Sequence, residues 1–148
     1  MHAVEAAPSV APLLAPVALP TVDAWRAAAS HHRPLFAPLA AGARIALLSR
    51  SAPATTLVWI AGEHGVDARV EPFDAYASCA ADIVLAADDA ALRAIAAARS
   101  GGLFEALRAA IREGDIVCYW LTRRCVLEQL GFDELLDALG FAFMGACR

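Results

Sequence analysis

The chain has 148 residues, of which 59% are hydrophobic, and carries 12 basic against 16 acidic side chains, for a net charge of −4. A single core closes at about 100–150 residues, so this length excludes two full domains. All 12 basic residues are arginines scattered along the chain, which excludes the basic patch of a duplex-binding protein. Alanine fills 37 positions and lysine is absent, so lysine Schiff-base chemistry is also excluded.

Residues 1–20 are predicted to form a flexible Ala/Pro-rich arm. Prolines at positions 8, 12, 16 and 20 prevent a helix or a central strand there. Because no basic residue precedes Val17, the segment lacks the start of a secretory signal, and we expect a cytoplasmic protein. The longest apolar stretch is too short and too rich in proline to span a membrane, so no membrane association is expected.

The first half of the predicted domain begins with two short helices over residues 21–42, the first capped by Thr21. Strand and helix patterns then alternate over residues 43–148. Residues 44–49 are predicted as a strand, 53–63 as a helix and 66–73 as a second strand.

The second half continues the alternation. A helical link over 74–80 leads to a strand over 82–87, and Asp88 or Asp89 caps a helix to about Arg99. The remaining predicted elements are a helix from Leu103 to Gly114, a strand over 115–121, a helix from Thr122 to about Gly131, a helical turn or two over 132–139 and a last strand over 141–144.

About five strands alternating with helices predict one α/β domain over residues 21–148. Such alternation is typical of a mostly parallel sheet with helices on both faces. The expected fold is therefore a flavodoxin-like or Rossmann-like three-layer domain.

Ligands of open parallel sheets bind outside the carboxyl ends of the strands. The candidate binding residues are the polar side chains after the predicted strands: Ser49, Arg50, Ser51, Asp74, Asp88, Thr122, Arg123 and Arg124. Aspartate and threonine at such positions also serve simply as helix caps. The loop after the first strand has no glycine for close approach to a phosphate, so no nucleotide or flavin cofactor is expected.

Two cysteines, Cys125 and Cys118, are candidate catalytic thiols. With Thr122 as N-cap, Cys125 falls in the first turn of a helix beside Arg123 and Arg124, where backbone amides and the helix dipole favour a thiolate. Cys118 lies inside a strand, where a free cysteine is commonly a small buried hydrophobe. Four unevenly spaced cysteines do not make a disulfide framework, and reduced thiols are expected.

The histidines do not predict a metal site. His31 and His32 are adjacent, so on a helix their side chains diverge by about 100° instead of sharing a face. The sequence also has no Cys-x-x-Cys or His-x-x-x-His pairing.

Residues 102–145 carry a resemblance to a known family. A helical segment from Leu103 to Gly114 leads into a strand reaching Cys118, followed by Gly131-Phe132-Asp133-Glu134-Leu135-Leu136 and a short apolar segment from Phe141 to Gly145. This order resembles the DsrE/DsrF-like sulfur-relay family. The resemblance covers less than a third of the chain.

The resemblance implies a flavodoxin-like domain that assembles into oligomers and passes sulfur through a persulfide on a cysteine. By position, Cys118 takes that role. The spacing departs from the family pattern, because the gap from Cys118 to Gly131 is too long and the gap from Cys125 too short. The matching thiol therefore stays open between the two.

The polar residues at the predicted strand ends also partly resemble those of the response-regulator receiver domain. Asp88 and Thr122 fit two of its functional positions, but Ser49 and Arg50 stand where the acidic pair belongs, and its lysine is missing. Only a degenerate, receiver-like interaction domain fits.

Two functional hypotheses follow, and they leave open whether the protein is an enzyme. The first is a sulfur-carrier or thiol-redox domain using Cys125 or Cys118. The second is a non-catalytic module that binds a protein or a small anionic ligand at the carboxyl ends of the strands. The large apolar fraction also predicts a homo-oligomer, with no nucleic-acid partner.

Overall fold

The computed structural model describes residues 17–99 and 101–141, and its centre is a five-stranded sheet. The strands lie in the order β3-β2-β1-β4-β5. Only β1 and β4 are parallel, and the other three neighbouring pairs are antiparallel. Their bounds are β1 Arg44–Ser49, β2 Thr55–Gly62, β3 Gly65–Pro72, β4 Ile83–Ala87 and β5 Ile116–Trp120.

Six α-helices and one 3₁₀ turn accompany the sheet within the described residues. The helices are α1 Val22–His31, α2 Arg33–Phe36, α3 Asp89–Ala97, α4 Leu103–Glu113, α5 Arg124–Gln129 and α6 Asp133–Leu139, and the 3₁₀ turn is Tyr76–Ser78. None of these helices has the length and apolarity required to cross a membrane.

The expected mostly parallel, flavodoxin-like sheet is wrong, and the first cause is the segment predicted as a helix over 53–63. This segment contains β2, which pairs antiparallel with both β1 and β3. Its sequence is rich in β-branched and aromatic residues, which favour strands. Leu57 and Val58 point to opposite faces and are both buried, so the strand lacks the apolar and polar alternation that identifies a half-exposed strand.

The second cause is the pair of helices between β4 and β5. A single crossover helix returns the chain to run parallel to the preceding strand. Here α3 and α4 are consecutive, and the second helix brings the chain back to the end of the sheet where β4 finishes. The Asp88 amide donates to the Asp115 carbonyl at 2.9 Å, so β5 starts beside the end of β4 and runs antiparallel to it.

One face of the sheet is covered by helices and the other by a loop. The helix-facing side chains share one core with all six helices: Ile45, Leu47, Leu57, Trp59, Ile83 and Leu85 from the sheet, and Trp25, Phe36, Leu92, Leu107, Leu127 and Leu135 from the helices. On the opposite face, Ala46, Leu48, Val58 and Val84 pack with Ala81, Phe73 and Cys79 of the segment 73–81. The described residues therefore form two main layers instead of three.

Several local predictions match the structure. The Thr21 hydroxyl accepts a hydrogen bond from the Ala24 amide and caps α1. Gly114, with φ of 83°, ends α4. The predicted arm lies largely outside the described residues, but Val17 and Leu19 pack against the core. The predicted last strand also lies outside them, apart from Phe141, which is not in a strand.

Candidate functional site

Four of the predicted binding residues do come together. Ser49 and Ala87 are register partners at the ends of the parallel strands β1 and β4, so the residues following each strand are neighbours. The Ser51 hydroxyl donates to the Asp89 carboxylate at 2.8 Å, and Ser49 Oγ lies 3.3 Å from Ser51 Oγ. This strand-end cluster consists of Ser49, Arg50, Ser51, Asp88 and Asp89.

The hydrogen bonds of the strand-end cluster mostly cap α3 or join residues of the cluster to each other. Asp88 caps α3 by accepting from the Ala91 amide at 2.9 Å, as the sequence predicts. The cleft beside the cluster is open and contains two carboxylates but only one guanidinium, that of Arg50. This charge balance does not favour an anionic ligand.

The remaining polar candidates lie elsewhere. Because β5 is antiparallel to β4, Thr122, Arg123 and Arg124 follow β5 at the opposite end of the sheet from Ser49. The Thr122 hydroxyl donates to Asp82 at 2.7 Å and does not cap α5, whose N-cap position is Arg123. The predicted site is therefore divided between two ends of the sheet.

Asp74 lies in the loop that crosses the helix-free face. It is exposed and contributes to a cavity of about 360 Å³ between this loop and the sheet, which also contains Glu71 and Cys79. Asp74 therefore follows β3 at the same end of the sheet as Ser49, but β3 lies two strands away from β1.

Neither candidate cysteine presents a free thiol of lowered pKa in the structure. Cys118 faces the helix layer opposite Leu85, and burial raises the pKa of its thiol to about 12. A hydrogen bond with Trp120 opposes the rise but does not cancel it. Cys125 is disulfide-bonded, contrary to the expectation of reduced thiols, whereas Cys79 and Cys118 are free.

A further candidate site, away from the carboxyl ends of the strands, lies between α1 and the carboxyl end of α3. This α1–α3 cavity has a volume of about 470 Å³ and mostly apolar walls. Its polar side chains include Arg99 and His31, both exposed. The apolar walls come from Val17, Leu19, Pro20, Ala24, Ala27, Ala28, Ile95, Ala96, Ala98 and Leu103.

The only sequence signal for this cavity is the spacing of alanines. Ala24, Ala27 and Ala28 share one side of α1, and Ala96 and Ala98 lie at the end of α3. Methyl side chains leave space between the backbones where larger residues would fill it. In a chain where alanine is so common, this spacing does not stand out.

A second cavity, of about 410 Å³, lies on the other side of α1 against the β2–β3 hairpin. Arg26 at its wall is already engaged, with Asp23 at 3.0 Å and Asp67 at 3.4 Å. The Ala68 backbone amide lowers the pKa of Asp67 by hydrogen bonding, and Arg26 lowers it further. This cavity is more polar than the α1–α3 cavity, and part of its charge is neutralised.

Among the described residues, no group of three or more His, Cys, Asp or Glu side chains is placed to hold a metal ion. Comparison of the chain with protein-family models, curated proteins and solved structures found no match. The resemblance of residues 102–145 to the sulfur-relay family therefore stays a hypothesis based on the sequence.

Proposed function

We propose that this protein is a non-catalytic binding module whose α1–α3 cavity takes a small apolar ligand carrying an acidic group. The observation that carries the proposal is an apolar cavity of about 470 Å³ with a guanidinium at its rim. The ligand is thus small and anionic, as the second hypothesis from the sequence expects, but it binds between α1 and α3 and not at the strand ends.

The walls of the cavity select for an apolar ligand. Binding sites for small molecules typically have volumes of about 300–1,000 Å³ and mostly apolar walls with a few polar groups. Ile95 and Leu103 provide branched apolar surface, while the alanine methyls of α1 let a chain-like ligand lie close to the helix backbone. Burial of its methylene groups contributes about 0.8 kcal/mol each.

Arg99 favours an acidic group at one end of the ligand. Its guanidinium forms no ion pair with any residue in the described part of the chain, so its charge is not neutralised there. Arginine keeps its charge at all physiological pH values and matches the geometry of a carboxylate. A carboxylate at the rim and an alkyl chain inside fit both features.

The thiol hypothesis has weaker support. Sulfur acceptance requires a thiolate, but burial keeps Cys118 protonated at neutral pH. Cys125 offers no free thiol while it is disulfide-bonded. A binding function needs neither sulfur atom.

Calorimetric titration of the full chain with decanoate and 1-decanol tests the proposal. The two probes share an alkyl chain and differ in the carboxylate. We expect both to bind at one site, with decanoate about two- to fivefold tighter, because an exposed ion pair contributes about 0.5–1 kcal/mol. Absence of binding by both probes refutes the proposal.

Matched variants locate the site. Ala96→Leu fills the cavity and should weaken both probes, whereas Ala94→Leu changes an exposed residue of the same helix outside the cavity walls. Arg99→Gln should remove the preference for decanoate, and Arg93→Gln on the exposed side of α3 should leave it unchanged. If the two variants of either pair change the affinity for the probes equally, the probes bind outside the α1–α3 cavity and the proposal is refuted.

A further inference from the structure

Two side chains of opposite charge, Arg33 and Glu63, line the cavity of about 410 Å³ between α1 and the β2–β3 hairpin. Arg33 is the first residue of α2, and Glu63 lies in the two-residue turn that joins β2 to β3. Neither forms an ion pair with the other or with any residue in the described part of the chain. The walls of this hairpin cavity therefore present one guanidinium and one carboxylate that remain available to a ligand.

The other arginine at the hairpin cavity does not change this balance. Arg26 already contacts two carboxylates, those of Asp23 at 3.0 Å and Asp67 at 3.4 Å. A ligand with only a negative charge would face the carboxylate of Glu63, and one with only a positive charge would face Arg33. Because complementary charges favour the matching partner and like charges exclude others, the cavity selects a ligand that carries both.

The buried part of the hairpin cavity is apolar. Phe36 is buried there, and its ring stands edge-on to Trp59 with 5.0 Å between the ring centroids. Ala29 and Ala61 are buried beside it, and Val66 is half-buried. Small side chains around a fixed aromatic ring leave space for an apolar group of the ligand. Apolar walls with a few polar groups are typical of sites for small molecules.

We propose that the hairpin cavity binds an α-amino acid with an apolar side chain. The carboxylate of the ligand pairs with Arg33, whose guanidinium matches its geometry, and the ammonium group pairs with Glu63. The apolar side chain lies against Phe36, and Ser30 and His64 add hydrogen-bonding groups at the same walls. This site lies on the other side of α1 from the α1–α3 cavity and does not depend on the ligand proposed there.

Chemical-shift titration of the full chain with phenylalanine, phenylpropionate and phenethylamine tests the proposal. The three probes share the aromatic ring, and each of the last two lacks one of the charges. Phenylalanine should shift the backbone amides of residues 62–66 and bind about two- to fivefold more tightly than either analogue, because an exposed ion pair contributes modestly. The absence of saturable shifts at these amides, or equal affinity for all three probes, overturns the proposal.

Substitutions of the two unpaired charges assign their roles. Arg33→Gln should abolish the preference for phenylalanine over phenethylamine, and Glu63→Gln should abolish the preference over phenylpropionate. The matched controls Arg112→Gln and Glu113→Gln change exposed residues of α4 outside the cavity walls and should leave both preferences intact. Equal effects of a substitution and its control overturn the proposal.

The two proposed sites are tested separately by Arg99→Gln. This substitution should weaken decanoate binding at the α1–α3 cavity and leave the affinity for phenylalanine unchanged, because Arg99 does not line the hairpin cavity. Loss of phenylalanine binding in Arg99→Gln would place the amino acid in the α1–α3 cavity and overturn the assignment to the hairpin cavity.

Discussion

The turn between α5 and α6 offers a sharp test of the packing, through the substitution Gly131→Ala. Gly131 has φ of 87°, a conformation that costs an L-residue about 1–2 kcal/mol. A Cβ atom at this position would also overlap the carbonyl oxygen of Pro38 and lie 2.7 Å from its carbonyl carbon. These are backbone atoms, so relief requires the segment after α2 to move away from the turn.

The nearby contact makes that movement costly. The Ala40 amide donates to the Leu130 carbonyl at 2.9 Å, which ties the two segments together. Overpacking of this kind adds about 1–3 kcal/mol to the backbone strain. We therefore expect Gly131→Ala to lower the free energy of unfolding by about 2–5 kcal/mol, which corresponds to a Tm lower by about 10 °C.

Gly140→Ala is the matched control. Gly140 has φ of 101° after α6, but a Cβ atom there would have no neighbour within 4 Å among the residues that the structure describes. Only the backbone strain applies, so the loss should be about 1–2 kcal/mol. Urea unfolding followed by circular dichroism measures both variants. Equal losses would refute the close approach of the Pro38 carbonyl to this turn.

Three further predictions concern single side chains. Asp88→Ala should lower the free energy of unfolding by about 1 kcal/mol because α3 loses its cap, whereas Asp89→Ala should cost less, and the reverse order in urea unfolding would contradict the capping role. Trp59→Phe should lower the free energy of unfolding by about 2 kcal/mol, since it replaces the indole stacked at 3.7 Å on Trp25 by a smaller ring and removes the hydrogen bond to the Trp25 carbonyl; thermal unfolding within 1 °C of wild type would contradict this. Because burial raises the pKa of Cys118 from 9.0 to about 12, the associated stability is full below about pH 9 and is lost as pH rises toward 12. Alkylation of Cys118 at pH 9 should therefore be much slower in the folded chain than in urea, and equal rates would refute its burial.

The sequence predicts most element positions but not how the strands connect. The spacing of apolar residues and the capping residues locate α1, α3, α4 and β4, because the boundaries of these elements depend on local residues such as Thr21, Asp88 and Gly114. The strand β2 is buried on both faces, so its apolar run matches helix and strand equally well. When β2 is predicted as a helix, the antiparallel strands β1, β2 and β3 are predicted instead as two parallel strands joined by a helix.

The positions of the candidate site residues depend on how distant segments of the chain are arranged, as the strand connections do. Ser49 and Asp88 lie close together because β1 and β4 are parallel. Thr122 lies at the opposite end of the sheet, because the direction of β5 depends on the return of the chain through two helices. The α1–α3 cavity depends on how closely three segments approach each other, and the residues that line it are mostly ordinary alanines. No local pattern in the sequence encodes that distance.

Nuclear Overhauser contacts between bound decanoate and the methyl groups of the full chain test the central claim most directly. The α1–α3 cavity predicts contacts from the alkyl chain to Ala28, Ile95 and Leu103, which line it. Contacts instead to Val66 and Ala61, which line the cavity on the other side of α1, or the absence of contacts to any methyl group, would contradict the account.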